Sequence, residues 1–158
     1  RDPEFRLERA NALVPLSLEH RKANAAWGGQ QLAQEEEKER QIFSLMQKQI
    51  PLWKDAVRRG VKVAFGTDQS HRLLVGMNLV ELGFMVDWLG MTPMQALVAA
   101  TGRAAQCIGR TDLGVLEAGR CADVLVVEGD PLADIRILEQ RARLKLVMQA
   151  GRAHTNTL

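Results

Sequence analysis

Apolar positions along this chain change period partway through, from helical spacing to short strand-sized runs. Ile42, Leu45, Met46, Gln49 and Trp53 fall at i, i+3 and i+4 spacing, which places the apolar ones on one helical face. The carboxylates of residues 35–39 open that stretch at the positive end of the helix dipole, and Lys54, Arg58 and Arg59 sit at its negative end. Pro51 interrupts the pattern, which predicts a kink or a second helix starting there, and Gly60 is the natural stop. Upstream, residues 10–18 read as a short strand ending near Pro15. Residues 19–34 carry no clear period and predict a loop or a broken helix around Gly28-Gly29.

Val61-Lys62-Val63-Ala64-Phe65-Gly66 is short, mostly apolar and rich in β-branched residues, as expected of a strand buried in a parallel sheet. Residues 79–89 return to helical spacing and end at Gly90. Thr92-Pro93-Met94-Gln95 is a helix start with Thr as N-cap, Pro at the first position and Gln at the third. Thr101 or Gly102 divides the Ala-rich helix behind it from a last turn ending at Gly109. Three strand-sized runs follow, at residues 113–117, 122–128 and 144–150, separated by Gly and Pro turns. The expectation is an α/β chain: helix–strand–helix units first, a small β module second.

Composition narrows the class. Charged residues make up 25% of the chain and hydrophobic ones 46%, as in an ordinary soluble domain. A closed eight-stranded β/α barrel needs about 250 residues, so 158 cannot form one. The balance of 21 Lys and Arg against 19 Asp and Glu gives +2, with alternating signs. Aromatics are 4% and Tyr is absent, so the basic face and stacking platform of a nucleic-acid binder are missing and no nucleic-acid partner is expected. No apolar run approaches the roughly 20 residues of a membrane span. Cys107 and Cys121 match no metal spacing and read as buried or half-buried thiols, Cys107 as a packing residue, compatible with a reducing compartment, so a cytoplasmic setting is expected. Arg1-Asp2-Pro3-Glu4-Phe5 resembles the translated junction of adjacent cloning sites, and residues 1–5 are set aside as a linker.

The candidate chemistry centres on Gly66-Thr67-Asp68, at the C-terminal end of the expected buried strand. Catalytic groups in parallel α/β folds sit at strand ends. A carboxylate there can take a proton from water, bind a divalent metal, or both. It can equally cap the following turn, and the local pattern alone favours the cap. His71 lies three residues beyond Asp68, whereas His20 and His154 fall at loop or strand-edge positions where a solvated imidazole is the default. No H-x-H pair, H-E-x-x-H helix, G-x-S-x-G elbow or phosphate-binding Gly-rich loop is present. The methionines and Trp27, Trp53 and Trp88 read as packing residues.

The stretch from Gly60 to Asp68 resembles the eighth barrel strand of the metal-dependent amidohydrolase superfamily, nearest its imidazolonepropionase and Xaa-Pro or Xaa-basic dipeptidase-like branch. The resemblance continues in order through Asn78-Leu79-Val80-Glu81-Leu82, Gly90-Met91-Thr92-Pro93-Met94-Gln95-Ala96-Leu97 and Ala99-Ala100-Thr101. It then runs through Leu113-Gly114-Val115-Leu116-Glu117-Ala118-Gly119-Arg120-Cys121-Ala122-Asp123, Gly129-Asp130-Pro131-Leu132 and Val147-Met148-Gln149-Ala150-Gly151. It implies a C-terminal fragment: the last two β/α units of a TIM-type barrel over residues 6–112, then the C-terminal part of a small accessory β-sandwich over 113–158. It also implies a parent enzyme that hydrolyses C–N bonds of a small-molecule amide or dipeptide by metal-activated water. Asp68 would then be both catalytic base and metal ligand, which reverses the local reading. Zinc or a similar divalent ion is implied for the parent. None is expected on the fragment, because the family's other ligands precede the matched segment. Where this branch carries a His-Gly pair, Val75-Gly76 stands here, so His71 receives no role and the substrate-binding residues stay unassigned. The fragment alone is expected to be inactive. The alternative is a non-catalytic folding or antigen fragment that self-associates into a homo-oligomer through exposed sheet edges.

Overall fold

The computed structural model describes residues 29–67 and 76–158. The expected strand at residues 10–18 lies outside them. Helix α1 covers Gly29–Arg58 and begins six residues before the acidic run, because Gln, Leu and Ala at 30–34 are good helix formers. Pro51 neither breaks it nor starts a second helix. Residue 51 is exposed, so water can serve the Gln47 carbonyl that proline leaves without its helical donor. The helix stops where expected. Gly60 takes φ +81°, its N–H donates to the Val57 carbonyl at 3.0 Å, and the Val61 N–H reaches the Ala56 carbonyl at 3.0 Å. That pair of bonds is a Schellman cap, which needs a left-handed residue at this position.

Residues 61–67 do not enter a ladder, in contrast to the buried parallel strand expected from their composition. A parallel strand needs neighbours from βαβ crossovers, and the described residues supply none beside it. The segment still alternates like an extended chain: Val61 is 56% exposed, while Val63 and Phe65 pack against the core. Helix α2, Val80–Asp87, is the most enclosed element, with Val80, Leu82, Gly83, Met85 and Asp87 buried. Phe84 and Trp88 stack at 4.5 Å across one of its turns, a packing role for Trp88 as expected. Helix α3, Pro93–Val98, opens on a full capping box: the Gln95 N–H donates to Thr92 Oγ1 at 3.2 Å and the Thr92 N–H to Gln95 Oε1 at 2.8 Å. The helix then widens into a π-turn at Ala99–Arg103 before α4, Ala104–Cys107, so the division expected at Thr101 or Gly102 is a π-bulge.

Residues 113–117 form no strand. Gly114 adopts φ +81° with its Cα set against the Thr101 carbonyl, where any Cβ would come within 2.6 Å of the oxygen. That contact bends the chain away from a pleat. The sheet is an antiparallel meander of β1 (Val124–Val127), β2 (Leu144–Gln149) and β3 (Arg152–Asn156), in that order. Strands β1 and β2 match the expected runs, whereas β3 is an addition to them; it is mostly polar and exposed at every position. Ala150 (φ +48°) and Gly151 (φ +80°) form its two-residue turn, with the signs of a type I′ hairpin. One hydrophobic cluster joins the two halves: Leu82, Met85, Met91, Ala96 and Ala99 from the helices pack with Ile135 and Leu138 from a 3-10 turn at Ile135–Glu139.

Candidate functional site

Asp68 and His71, the two groups that the sequence sets beside each other, lie outside the described residues, as does His20. The structure describes the two flanks of that stretch. On the upstream side Val63 and Phe65 pack against the core, and the Phe65 N–H donates to the Ala99 carbonyl at 3.0 Å, at the first residue of the π-turn. The chain is therefore tied down as far as Phe65. On the downstream side the Val80 N–H donates to the Met77 carbonyl at 3.1 Å and the Glu81 N–H to that of Asn78 at 3.2 Å, which starts α2. The flanks meet where the half-buried Thr67 Oγ1 donates to the Asn78 carbonyl at 3.3 Å. A further side chain borders this place: the Arg141 guanidinium lies where a Cβ on Gly76 would stand.

The other candidates fall elsewhere. His154 is exposed on β3, and Cys107, expected as a buried or half-buried packing thiol, is instead exposed, because it falls in the last turn of the short helix α4. Cys121 is half-buried, with its thiol 3.6 Å from Asp123 Oδ1. Burial, then the neighbouring Asp123 charge, pushes that thiol up from its ordinary value, which favours the thiol over the nucleophilic thiolate. Asp123 instead anchors the hairpin, because Oδ1 accepts the Ala150 N–H at 2.8 Å. Among the described residues no three His, Cys, Asp or Glu side chains are placed to hold a metal ion. A divalent metal needs several such donors at once. The described part of the chain therefore does not fit a closed metal site, and no chemical step is derived through a metal.

Sequence reasoning missed the best-enclosed charged pair. Arg136 Nη2 donates to Asp87 Oδ1 and Oδ2 at 2.6 and 2.5 Å, joining α2 to the 3-10 turn across 49 residues. Burial pushes the guanidinium down, but the hydrogen bonds it donates to Asp87 and Asp134, and the charges of those carboxylates, outweigh it and hold Arg136 above its ordinary value. No local pattern could have announced a partner so distant. Asp112, by contrast, is held near its own neighbour. Its carboxyl is pulled down to about 2, first by the hydrogen-bonded Arg110 at 2.6–2.7 Å and then by its own backbone N–H.

Helices stacked on an extended segment, followed by a small antiparallel sheet that shares their core, define a mixed α/β chain. The family model for the amidohydrolase family matches residues 14–153, and the chain belongs to that family. It is 32% identical over 113 residues to ochratoxinase from Aspergillus niger, covering 70% of this chain and 23% of that protein. With the imidazolonepropionase of Pyrobaculum arsenaticum it shares 30% identity over 110 residues, 70% of this chain and 28% of that protein. Among solved structures it superposes on a Xaa-Pro dipeptidase with methionine bound in its active site, with a TM-score of 0.61 and 34% identity. That match covers 68% of this chain and 25% of the dipeptidase. The chain thus spans about a quarter of the length of the curated relatives it matches. Among the described residues no helix is long and apolar enough to cross a membrane.

Proposed function

We propose that the chain supplies the C-terminal part of a metal-dependent amidohydrolase that cleaves amide-type C–N bonds in a small molecule, a dipeptide or a cyclic amide. Residues 6–112 would be the last two β/α units of its barrel and residues 113–158 part of an accessory β-sandwich, with residues 1–5 a cloning linker. The observation that carries the reading is the tether of the segment that leads into Asp68: Val63 and Phe65 pack against the core and the Phe65 N–H donates to the Ala99 carbonyl, three residues before Asp68 in sequence. Membership of the amidohydrolase family supports it.

In this reading Asp68 moves the proton. One carboxylate oxygen accepts a proton from the attacking water as the new C–O bond forms. The same carboxyl then donates it to the nitrogen as the C–N bond breaks, so the amine leaves neutral. A divalent ion such as zinc, when bound, supplies Lewis acidity, and Asp68 would be the ligand this chain contributes. The test is hydrolysis of a dipeptide and cyclic-amide panel, with zinc supplied, by the full-length enzyme and its Asp68→Asn variant. Loss of general acid–base help lowers kcat by about 10²- to 10⁴-fold. An unchanged kcat in the variant overturns the assignment. The 158-residue chain alone is expected to show no turnover; activity that Asp68→Ala abolishes would overturn that part.

A further inference from the structure

We propose that α1 is a self-association surface: two copies of this chain pair their α1 helices antiparallel, rather than through a sheet edge. The inference stands apart from the reading of Asp68. A helix of 30 residues is about 45 Å long, and α1 reaches the core through Val57, in its last turn. The apolar stripe that ends there continues toward the N-terminus. Ile42, Met46, Gln49 and Trp53 advance by four, three and four residues, so they share one face, with Leu45 and Leu52 along its side. Ile50 and Trp53 are half-buried, whereas Ile42, Leu45, Met46 and Leu52 are exposed, Leu45 by 58% and Leu52 by 70%. Helices in proteins owe most of their stability to a covered apolar face, and a second helix supplies that cover.

Two features of α1 select a second copy, and both select it in the same register. The first is apolar. Setting Ile42 against Trp53 of the second copy also sets Met46 against Gln49, and by symmetry each layer occurs twice. Leu45 then lies next to Leu52 across the seam. The second feature is charge. Residues 35–40 hold four carboxylates and two cations, a net −2, and residues 54–59 hold three cations and one carboxylate, a net +2. The apolar register brings the acidic stretch of one copy to within one residue of facing the basic stretch of the other. A parallel pair sets like charge against like, so the charges fix the direction. Opposed helix dipoles favour the same direction.

Sedimentation equilibrium of the 158-residue chain decides it. A reversible dimer is expected at about 100 μM protein and low salt. Leu45→Lys with Leu52→Lys changes surface that one copy leaves exposed, and circular dichroism checks that the fold is kept. That variant is expected to raise the dissociation constant at least about 100-fold. Reversing the basic stretch with Lys54→Glu, Arg58→Glu and Arg59→Glu is expected to weaken the dimer about 10-fold at low salt, a difference that about 1 M salt removes. Adding Glu36→Lys and Glu39→Lys to it restores opposite signs and the affinity. A monomer at that concentration overturns the proposal. So does a dimer that the two lysines leave intact, since another face then holds it. Charge reversal that leaves the dimer unchanged or tightens it overturns the antiparallel direction. A monomeric chain, with the same two lysines lowering the melting temperature of the full-length enzyme, assigns the stripe to residues upstream and overturns self-association.

Discussion

Replacing Asp87 by alanine is expected to destabilise the chain by about 2–3 kcal/mol. The side chain is 11% exposed and its partner Arg136 is 22% exposed, so the pair is largely withdrawn from water. Removing one member of a fully buried pair costs about 3–5 kcal/mol, because the other charge is left without compensation. Two observations reduce that figure. Arg136 keeps Asp134 at 3.3 Å, and about a fifth of its side chain still reaches solvent. The assay is urea unfolding followed by circular dichroism. With a slope of about 2 kcal/mol/M, the midpoint falls by roughly 1–1.5 M. The stated cause has its own control: Asp87→Leu with Arg136→Met removes both charges and fills the space with apolar atoms, and it should recover most of the loss. A single-variant loss below about 0.5 kcal/mol would refute the reasoning. So would a double variant no better than the single, since the cost then comes from packing rather than from an uncompensated charge.

Three further outcomes follow from named contacts. Ala150→Gly should raise stability by about 0.5–1 kcal/mol, because alanine at φ +48° carries left-handed strain and Asp123 still accepts the residue 150 N–H; a lower melting temperature contradicts this. Gly114→Ala should cost about 2 kcal/mol or more, since its Cβ would stand 2.6 Å from the Thr101 carbonyl oxygen and its φ is positive; a neutral effect in thermal unfolding shows that the contact yields. Asp112 should titrate at about 2 rather than at its ordinary 3.8. Its folded value is depressed, so its contribution is fully present above 3.8 and is lost as the pH falls through about 2. Carboxyl carbon NMR reads this directly, and Arg110→Gln should return the group toward 3.8; no movement in that variant removes Arg110 as the cause.

What the sequence made legible was whatever depends on near neighbours. The capping box needs only Thr92 and Gln95, and both of its bonds are present. The stop at Gly60 needs only a residue free to take positive φ where the helical face ends, and the same holds at Gly109, whose N–H donates to the Gln106 carbonyl while the Arg110 N–H reaches that of Ala105. What it hid depends on distance. Residues 61–66 have the composition of a buried strand and do place Val63 and Phe65 against the core, but a ladder requires strands that the described residues do not place beside them. The run at 113–117 is apolar enough for a strand, yet the approach of Gly114 to Thr101 settles its path. Strand β3 escapes a reading based on burial because none of its five residues is buried; the signal for it lay in Ala150-Gly151, a two-residue turn after a strand.

The candidate site divides along the same line. Asp68 stands out because a short apolar run ends in Gly66-Thr67-Asp68, but that pattern alone fits a turn cap as well as a proton carrier. The structure adds the tethers on either side, and these come from residues 34 and 11 positions away, Ala99 from Phe65 and Asn78 from Thr67. Both tethers end on elements whose own places are set by the shared core: Ala99 belongs to it directly, and Asn78 starts the helix that contributes Leu82 and Met85. Ile135 and Leu138 close that core from the sheet half of the chain. A substitution such as Ile135→Ala would therefore loosen the support behind both tethers while lying 67 positions from Asp68 in sequence. The place of residues 61–67 is thus a property of the packed core and a few long-range hydrogen bonds, whereas the choice of Asp68 as the candidate carboxylate is a property of the local sequence.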